Sequence, residues 1–120
     1  MSAGNRKILV VEDDALIAML LEDMLSELDY VVAGMAADVE DALTLAEAGA
    51  FDAAILDVSL AGRSSLPVAQ LLDRNNKPYI FATGYGALPE GMEGSQRRVL
   101  NKPYQLHQLE AALDSLKIDG

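Results

Sequence analysis

Cysteine is absent from this 120-residue chain, and cationic side chains are scarce. Without cysteine, disulfide scaffolds and thiolate metal sites are excluded, and a reducing compartment fits. Nine lysines and arginines stand against nineteen aspartates and glutamates, which gives a formal net charge of −10. Direct binding to nucleic acid is therefore not expected, because phosphate backbones need a basic protein face. A metal cation or a basic protein surface is the more natural partner.

Long apolar runs are absent as well. No stretch reaches the roughly 18 apolar residues that a membrane span needs, and the N-terminus MSAGNRK lacks the apolar core of a signal peptide. We therefore expect a cytoplasmic protein without membrane contact. The length and the 51% hydrophobic content predict a single domain over residues 1–120, with no output domain.

Apolar segments of two kinds alternate along the chain. Short β-branched runs predict strands, and longer stretches with helical spacing predict helices between them. This alternation is typical of a parallel sheet with helices on both faces. Residues 84–101 contain four glycines and a proline, so a helix there should be short or mobile. The predicted strands are 7–11, 30–34, 51–56, 78–82 and 98–100, and the predicted helices begin at about 15, 38, 66 and 105.

Polar residues stand where the predicted strands end. In open parallel sheets, ligands bind outside the carboxyl ends of the strands, at the switch point of strand order. With the order 2-1-3-4-5, strands 1 and 3 are neighbours, which would bring Asp13 and Asp57 together. Asp14, just before the first helix, is predicted to cap it rather than to bind metal. The residues at the strand ends are Glu12, Asp13, Asp14, Asp57, Thr83 and Lys102.

This set of side chains suits phosphoryl transfer. Carboxylates packed together repel each other unless a cation neutralises them. Mg²⁺ prefers oxygen ligands and is often held by one or two carboxylates together with phosphate oxygens. A lysine and a hydroxyl can hold the remaining phosphoryl oxygens, and one carboxylate can act as the nucleophile.

Four motifs in order match a known family: ILVVEDD at 8–14, ILDVSL at 55–60, FATG at 81–84 and NKPY at 101–104. Over nearly its whole length the chain resembles the receiver domain of bacterial two-component response regulators. The resemblance implies a flavodoxin-like (βα)5 three-layer α/β sandwich. Its parallel five-stranded sheet would have the order 2-1-3-4-5.

The resemblance also implies roles for the acidic residues. Asp57 would accept a phosphoryl group from a histidine kinase or a histidine phosphotransfer protein. Mg²⁺, with Mn²⁺ as the alternative, would be bound by Asp13, by Asp57 and by the backbone carbonyl of Ser59. Glu12 would act on the metal through water.

Further roles follow from the same resemblance. Thr83 matches the switch hydroxyl, and Lys102 matches the lysine that contacts a phosphoryl oxygen. The peptide bond before Pro103 would be cis. Because the family's first helix docks the phosphodonor's helical hairpin, Ala15 and Met19 are candidate partner contacts.

Two positions depart from the common pattern. Val99 stands where most receivers carry an aromatic residue, so the usual coupling to the switch hydroxyl is in doubt, and Ala61 stands where proline is common. The string FATGY at 81–85 resembles the FAT GUY receivers of alphaproteobacteria. These are often single domains, usually paired with kinases of the HWE or HisKA2 type. Tyr85 could belong to a lid or to a partner contact.

The function favoured is that of a signalling protein, not an enzyme with a separate substrate. It would act by phosphorylation-dependent protein–protein interaction, or as a phosphate sink or relay, with the downstream partner open. One alternative is a binding module on the same fold that needs no phosphorylation. Another is an aspartate-nucleophile phosphatase, although Asp57-Val58-Ser59 lacks the second aspartate that the haloacid dehalogenase type uses. An FMN-binding flavodoxin relative is disfavoured because Glu12-Asp13-Asp14 would repel a phosphate without a metal.

Overall fold

A computed structural model describes residues 6–83, 98–102 and 105–116. Within these residues, no helix combines the length and the apolarity that crossing a bilayer requires. The strands are β1 (Lys7–Val11), β2 (Val31–Ala36), β3 (Ala53–Asp57), β4 (Ser59–Leu60), β5 (Arg63–Ser64), β6 (Tyr79–Thr83) and β7 (Arg98–Asn101). The helices are α1 (Ala15–Glu27), α2 (Val39–Ala48), α3 (Leu66–Arg74) and α4 (Leu106–Ser115).

The main sheet has five strands in the order β2-β1-β3-β6-β7, and every neighbouring pair is parallel. The strands β4 and β5 form a separate antiparallel hairpin. Counting only the strands of the main sheet, the order is 2-1-3-4-5, so the predicted α/β topology is confirmed. The predicted short or mobile helix within 84–101 lies almost entirely outside the described residues.

The core has two halves, one on each face of the sheet. Side chains alternate along β1, so Leu9 and Val11 join the half beneath α2 and α3, whereas Ile8 and Val10 join the half beneath α1 and α4. Burial on both faces explains why the central strands read as continuous apolar runs. The largest fully buried side chains include Tyr79, Phe81, Ile8, Leu9, Leu21, Leu25, Ile55 and Leu56.

Helix α1 begins as predicted and differs in one respect. The Asp14 side chain accepts hydrogen bonds from the backbone N–H groups of Leu16 and Ile17, at 2.9 and 3.1 Å, so the predicted cap is confirmed. The helical spacing of Leu16 and Leu20 along the sequence predicts that they share an apolar stripe with the core residues. They are instead 61% and 47% exposed. The buried side of α1 is formed by Ala18, Leu21 and Leu25. Leu16 and Leu20 lie on the opposite side of the helix.

The remaining differences lie at strand ends. The strands β2, β3, β6 and β7 each extend one or two residues beyond the expected carboxyl end. The β4–β5 hairpin was not predicted, because strands of two residues show no hydrophobic period. It lies directly after β3, next to the residues that carry the candidate chemistry.

Candidate functional site

Asp57 is the last residue of β3, the central strand of the sheet, and it is 5% exposed. Its neighbour β1 ends one residue before Glu12, and Glu12 donates its backbone N–H to the carbonyl of Ala36 at 2.9 Å. This bond continues the β1–β2 pairing beyond the strand and places Glu12 at the same edge of the sheet. The side chain of Glu12 turns inward and is held by the backbone N–H of Asp14, 3.0 Å from Oε2.

Lys102 reaches the same edge from the other side. Its backbone N–H donates to the carbonyl of Thr83 at 2.9 Å, so the β6–β7 pairing determines where the side chain starts. Its Nζ donates to Oδ2 of Asp57 at 2.7 Å. The same Nζ lies 2.7 Å from Oε1 of Glu12, although the angle of this contact does not suit a hydrogen bond. Lys102 is therefore the shared counter-ion of two buried carboxylates.

Burial and charge shift the pKa values of this cluster. Burial is the main cause that raises the pKa of Glu12 to about 7, and the charge of Asp57 adds to it against the opposing effect of Lys102. Burial alone would lower the pKa of Lys102, but Asp57 and Glu12 outweigh it and raise that pKa. Burial also opposes ionisation of Asp13. The hydrogen bonds that its carboxylate accepts, above all the one from the Ala61 N–H, outweigh burial and lower its pKa.

The three acids fit a metal ion. One carboxylate oxygen from each of Glu12, Asp13 and Asp57 lies within 4.8 Å of the other two. Within the described part of the chain, the buried Oε1 of Glu12 has no partner with hydrogen-bond geometry. Three carboxylates facing one lysine leave an excess of negative charge, and hard oxygen donors suit Mg²⁺ or Mn²⁺. The donor set is therefore suitable for a divalent cation.

The β4–β5 hairpin contacts the acidic cluster through two backbone N–H groups. The backbone N–H of Ala61 donates to Oδ2 of Asp13 at 2.8 Å, and that of Ser59 donates to Oδ1 of Asp57 at 3.3 Å. Ala61 stands out in the sequence only as a departure from proline, and no role for it is predicted there. An alanine followed by Gly62 is a weak turn signal, because alanine rarely adopts the positive φ that such a turn needs.

The structure brings together Glu12, Asp13, Asp57 and Lys102, with Thr83 fully buried at the end of β6. The backbone of Ser59 contacts Asp57 directly. Ala15 and Met19 lie on the exposed side of α1, as expected. Tyr85 and Pro103, with its expected cis peptide bond, lie outside the described residues, as does the side chain of Val99.

Curated relatives align with most of this chain. TcrA, a transcriptional regulatory protein of Mycobacterium tuberculosis, is 34% identical over 119 residues, which cover 95% of this chain and 47% of TcrA. PdtaR, another transcriptional regulatory protein of that organism, is 29% identical over 94% of this chain and 57% of its own length. The chain thus spans about half the length of the curated relatives that it matches.

Solved structures match along almost the full length of the chain. SdrG from Sphingomonas melonis Fr1 has a TM-score of 0.85 and 40% identity, covering 97% of this chain and 99% of SdrG. The BeF3-activated conformation of SdrG, from Pseudomonas melonis Fr1, has a TM-score of 0.75 and 41% identity, covering 93% and 96%.

The family described as the response regulator receiver domain matches residues 8–114. That range contains β3, β6 and all but the first residue of β1, whose carboxyl ends meet at the acidic cluster, and it contains Lys102, which contacts two of the three acids. By this match and by the fold, the chain belongs to the response regulator receiver domain family of two-component signalling.

Proposed function

We propose that Asp57 accepts a phosphoryl group from a phosphohistidine, in a reaction that depends on Mg²⁺. The donor would be a histidine kinase or a histidine phosphotransfer protein. One observation carries the proposal: Asp57 ends the central strand with one oxygen held by Lys102, 2.7 Å away, beside the Glu12 and Asp13 carboxylates. A nucleophile, a fixed cation and a set of metal-binding oxygens thus meet at one point.

The residues would act as follows. A carboxylate oxygen of Asp57 attacks phosphorus, the new P–O bond forms as the P–N bond breaks, and the electron pair of that bond returns to the imidazole. Lys102, which now contacts Asp57 Oδ2, would move to an oxygen of the transferred group. Thr83 would donate a hydrogen bond from its hydroxyl to a second oxygen of the transferred group. Bound Mg²⁺ or Mn²⁺ would supply positive charge to the phosphoryl oxygens.

The metal would be held by residues that already face the site. Asp13 and Asp57 would each supply a carboxylate oxygen, Ser59 its backbone carbonyl, and Glu12 a contact through water. The high pKa of Glu12, about 7, fits this division, because a partly protonated carboxyl is a poorer direct ligand than the ionised Asp13.

The outward side of α1 is the proposed contact for the phosphodonor. Leu16, Met19 and Leu20 are 61%, 53% and 47% exposed, and Ala15 lies beside them in the first turn. These residues form an apolar surface on the helix that begins directly after Glu12, Asp13 and Asp14, and an apolar helical partner would bury it. The string FATGYG at 81–86 supports a FAT GUY receiver and hence a kinase of the HWE or HisKA2 type, with Tyr85 as a further contact.

The chain would work in the cytoplasm as a signalling domain rather than as an enzyme with a separate substrate. Output would come from a protein that binds the phosphorylated form, or from withdrawal of phosphoryl groups from a kinase as a sink or relay. The solved structure of SdrG in a conformation described as BeF3-activated supports the first route, because it gives that relative an activated form.

Intact mass spectrometry tests the proposal. The purified chain is incubated with a small phosphoryl donor, such as acetyl phosphate, in Mg²⁺ or in EDTA. We expect one added phosphoryl group in Mg²⁺ only, and none on Asp57→Asn. Asp52→Asn is the matched control, because Asp52 precedes the opposite end of the same strand. An unlabelled wild type would favour a binding module that needs no phosphorylation, and equal labelling of wild type and Asp57→Asn would mean that the acceptor is another residue.

A further inference from the structure

The hairpin of β4 and β5 turns through two residues with positive φ. Ala61 has φ 51° and Gly62 has φ 82°, as the central positions of a type I′ turn require. Glycine adopts this backbone readily, but alanine pays a steric cost from its Cβ. A strained alanine at a hairpin tip needs a compensating contact.

Ala61 makes such a contact through its backbone. Its N–H lies 2.8 Å from Oδ2 of Asp13, although the two residues are 48 positions apart in the sequence. Asp13 itself is exposed, so few packing contacts restrict its side chain. A charged hydrogen bond of this length is therefore a main restraint on its orientation. Proline at this position would have no N–H to donate and could not adopt the positive φ.

The same hairpin orients the backbone of Ser59. The N–H of Ser65 donates to the carbonyl of Val58 at 3.1 Å, and the next opposed pair is Ser59 with Ser64. Because hydrogen-bonded and non-bonded pairs alternate in an antiparallel ladder, Ser59 does not use its backbone groups towards Ser64. Its N–H points instead to Asp57, and in an extended residue the carbonyl points to the same side. The hairpin thus leaves the Ser59 carbonyl available to a cation.

We propose that Ala61 is a positioning residue for the metal site: its N–H holds Oδ2 of Asp13 and leaves Oδ1 of that carboxylate for the cation. The inference rests on the proposed function, because it concerns the same Mg²⁺ site. The turn after β3 would then order this site together with the strand ends. Partners that orient a metal ligand commonly contribute about tenfold or more to metal affinity.

Isothermal titration calorimetry with Mg²⁺ alone, without any phosphoryl donor, tests the proposal. Ala61→Gly keeps the N–H and relieves the strained φ, so we expect the affinity of the wild type. An ester in place of the Leu60–Ala61 amide removes the N–H and keeps the side chain, and we expect about tenfold weaker binding. Asn76→Gly is the control for relief of positive φ, because Asn76, at φ 58°, follows α3.

Amide exchange at Ser65 is followed in each protein, because its N–H donates to the Val58 carbonyl across the hairpin and the ester leaves that acceptor unchanged. Weaker binding of the ester with Ser65 still protected would support the positioning role. Unchanged or tighter binding of the ester would overturn it. Weaker binding with Ser65 unprotected would overturn it too, since the turn and not the N–H would then matter. If the wild type itself bound no Mg²⁺, the proposed function would fail first, so the two failures are distinguishable.

Discussion

Lys102 and Asp57 are 45 positions apart in the sequence, and Nζ of the lysine lies 2.7 Å from Oδ2 of the aspartate. The contact spans three strands, because Asp57 ends β3, Lys102 follows β7, and β6 lies between them. Lys102 also lies 2.7 Å from Glu12. One cation therefore balances two buried acids, and several properties of the domain depend on it.

Removal of that cation should destabilise the metal-free domain. Lys102→Met leaves Glu12 and Asp57 buried without a counter-charge, so we expect the free energy of unfolding in EDTA to fall by about 3 kcal/mol. Mg²⁺ should restore part of this loss, because it supplies the missing charge. Urea unfolding with and without Mg²⁺ measures both effects.

Lys77→Met is the matched control for this change. Lys77 donates to the carbonyl of Phe51 at 2.7 Å, at the opposite end of the sheet. Mg²⁺ should not restore any free energy of unfolding that Lys77→Met loses. Equal stability of Lys102→Met and the wild type in EDTA would contradict the counter-ion role.

The pKa of Glu12 predicts a pH dependence of stability. Its folded value of about 7 is above the ordinary 4.5, so between these values the folded state keeps a proton that the unfolded state has released. The resulting stabilisation is complete below about pH 4.5 and is lost as the pH rises through about 7. We expect the free energy of unfolding in EDTA to fall by roughly 2–3 kcal/mol across this window.

Urea midpoints at intervals from pH 4.5 to 7.5 measure this slope. Glu12→Gln should flatten it, because glutamine does not titrate, whereas Glu22→Gln on the exposed side of α1 should leave it unchanged. A slope that survived in Glu12→Gln would assign the titration to another group.

Asp14 should contribute to stability and not to metal binding. Its carboxylate accepts from Leu16 and Ile17, so Asp14→Ala should lower the free energy of unfolding by about 1 kcal/mol. Asp14→Asn should retain most of the wild-type stability, and both variants should bind Mg²⁺ like the wild type. Asp38→Ala is the parallel case, because Asp38 caps α2 through the N–H of Asp41. Weaker Mg²⁺ binding in Asp14→Asn would instead make Asp14 part of the metal site.

The outward side of α1 should matter only for protein donors. Met19→Ser and Leu20→Ser remove exposed apolar surface without touching the core, so stability and labelling by acetyl phosphate should stay unchanged. Transfer from a phosphorylated histidine phosphotransfer protein should slow by about tenfold. Val31→Ser is the control, because Val31 is also 47% exposed and lies at the opposite end of the sheet. Equal slowing by Val31→Ser would mean that the effect is not specific to α1.

Much of the fold was predictable because its signals are local. The apolar run of β1 and the cap at Asp14 each follow from a few neighbouring residues, and the structure has both. The juxtaposition of Asp13 and Asp57 was also predictable, since it needs only the strand order. The sharing of Lys102 by two acids was not, because it depends on how far each side chain extends.

Two features were missed for physical reasons. Leu16 and Leu20 carry the same hydrophobic signal as Leu21 and Leu25, and only the packing of α1 decides which side faces the sheet. The turn at Ala61 opposes the local preference of alanine, and it persists where tertiary contacts such as that with Asp13 favour it. Sequence patterns carry little information on either point.

The left-handed backbone at Ala61 also restricts how this position can evolve. Proline is one nucleotide change from alanine, but it fixes φ at about −65°, whereas the turn needs 51°. That substitution would require a new loop between β3 and α3. Glycine, asparagine and aspartate tolerate this backbone, so they are the residues that could replace Ala61 without changing the turn. A single change to proline at position 61 would therefore be incompatible with the hairpin, and with the Asp13 contact that the hairpin supplies.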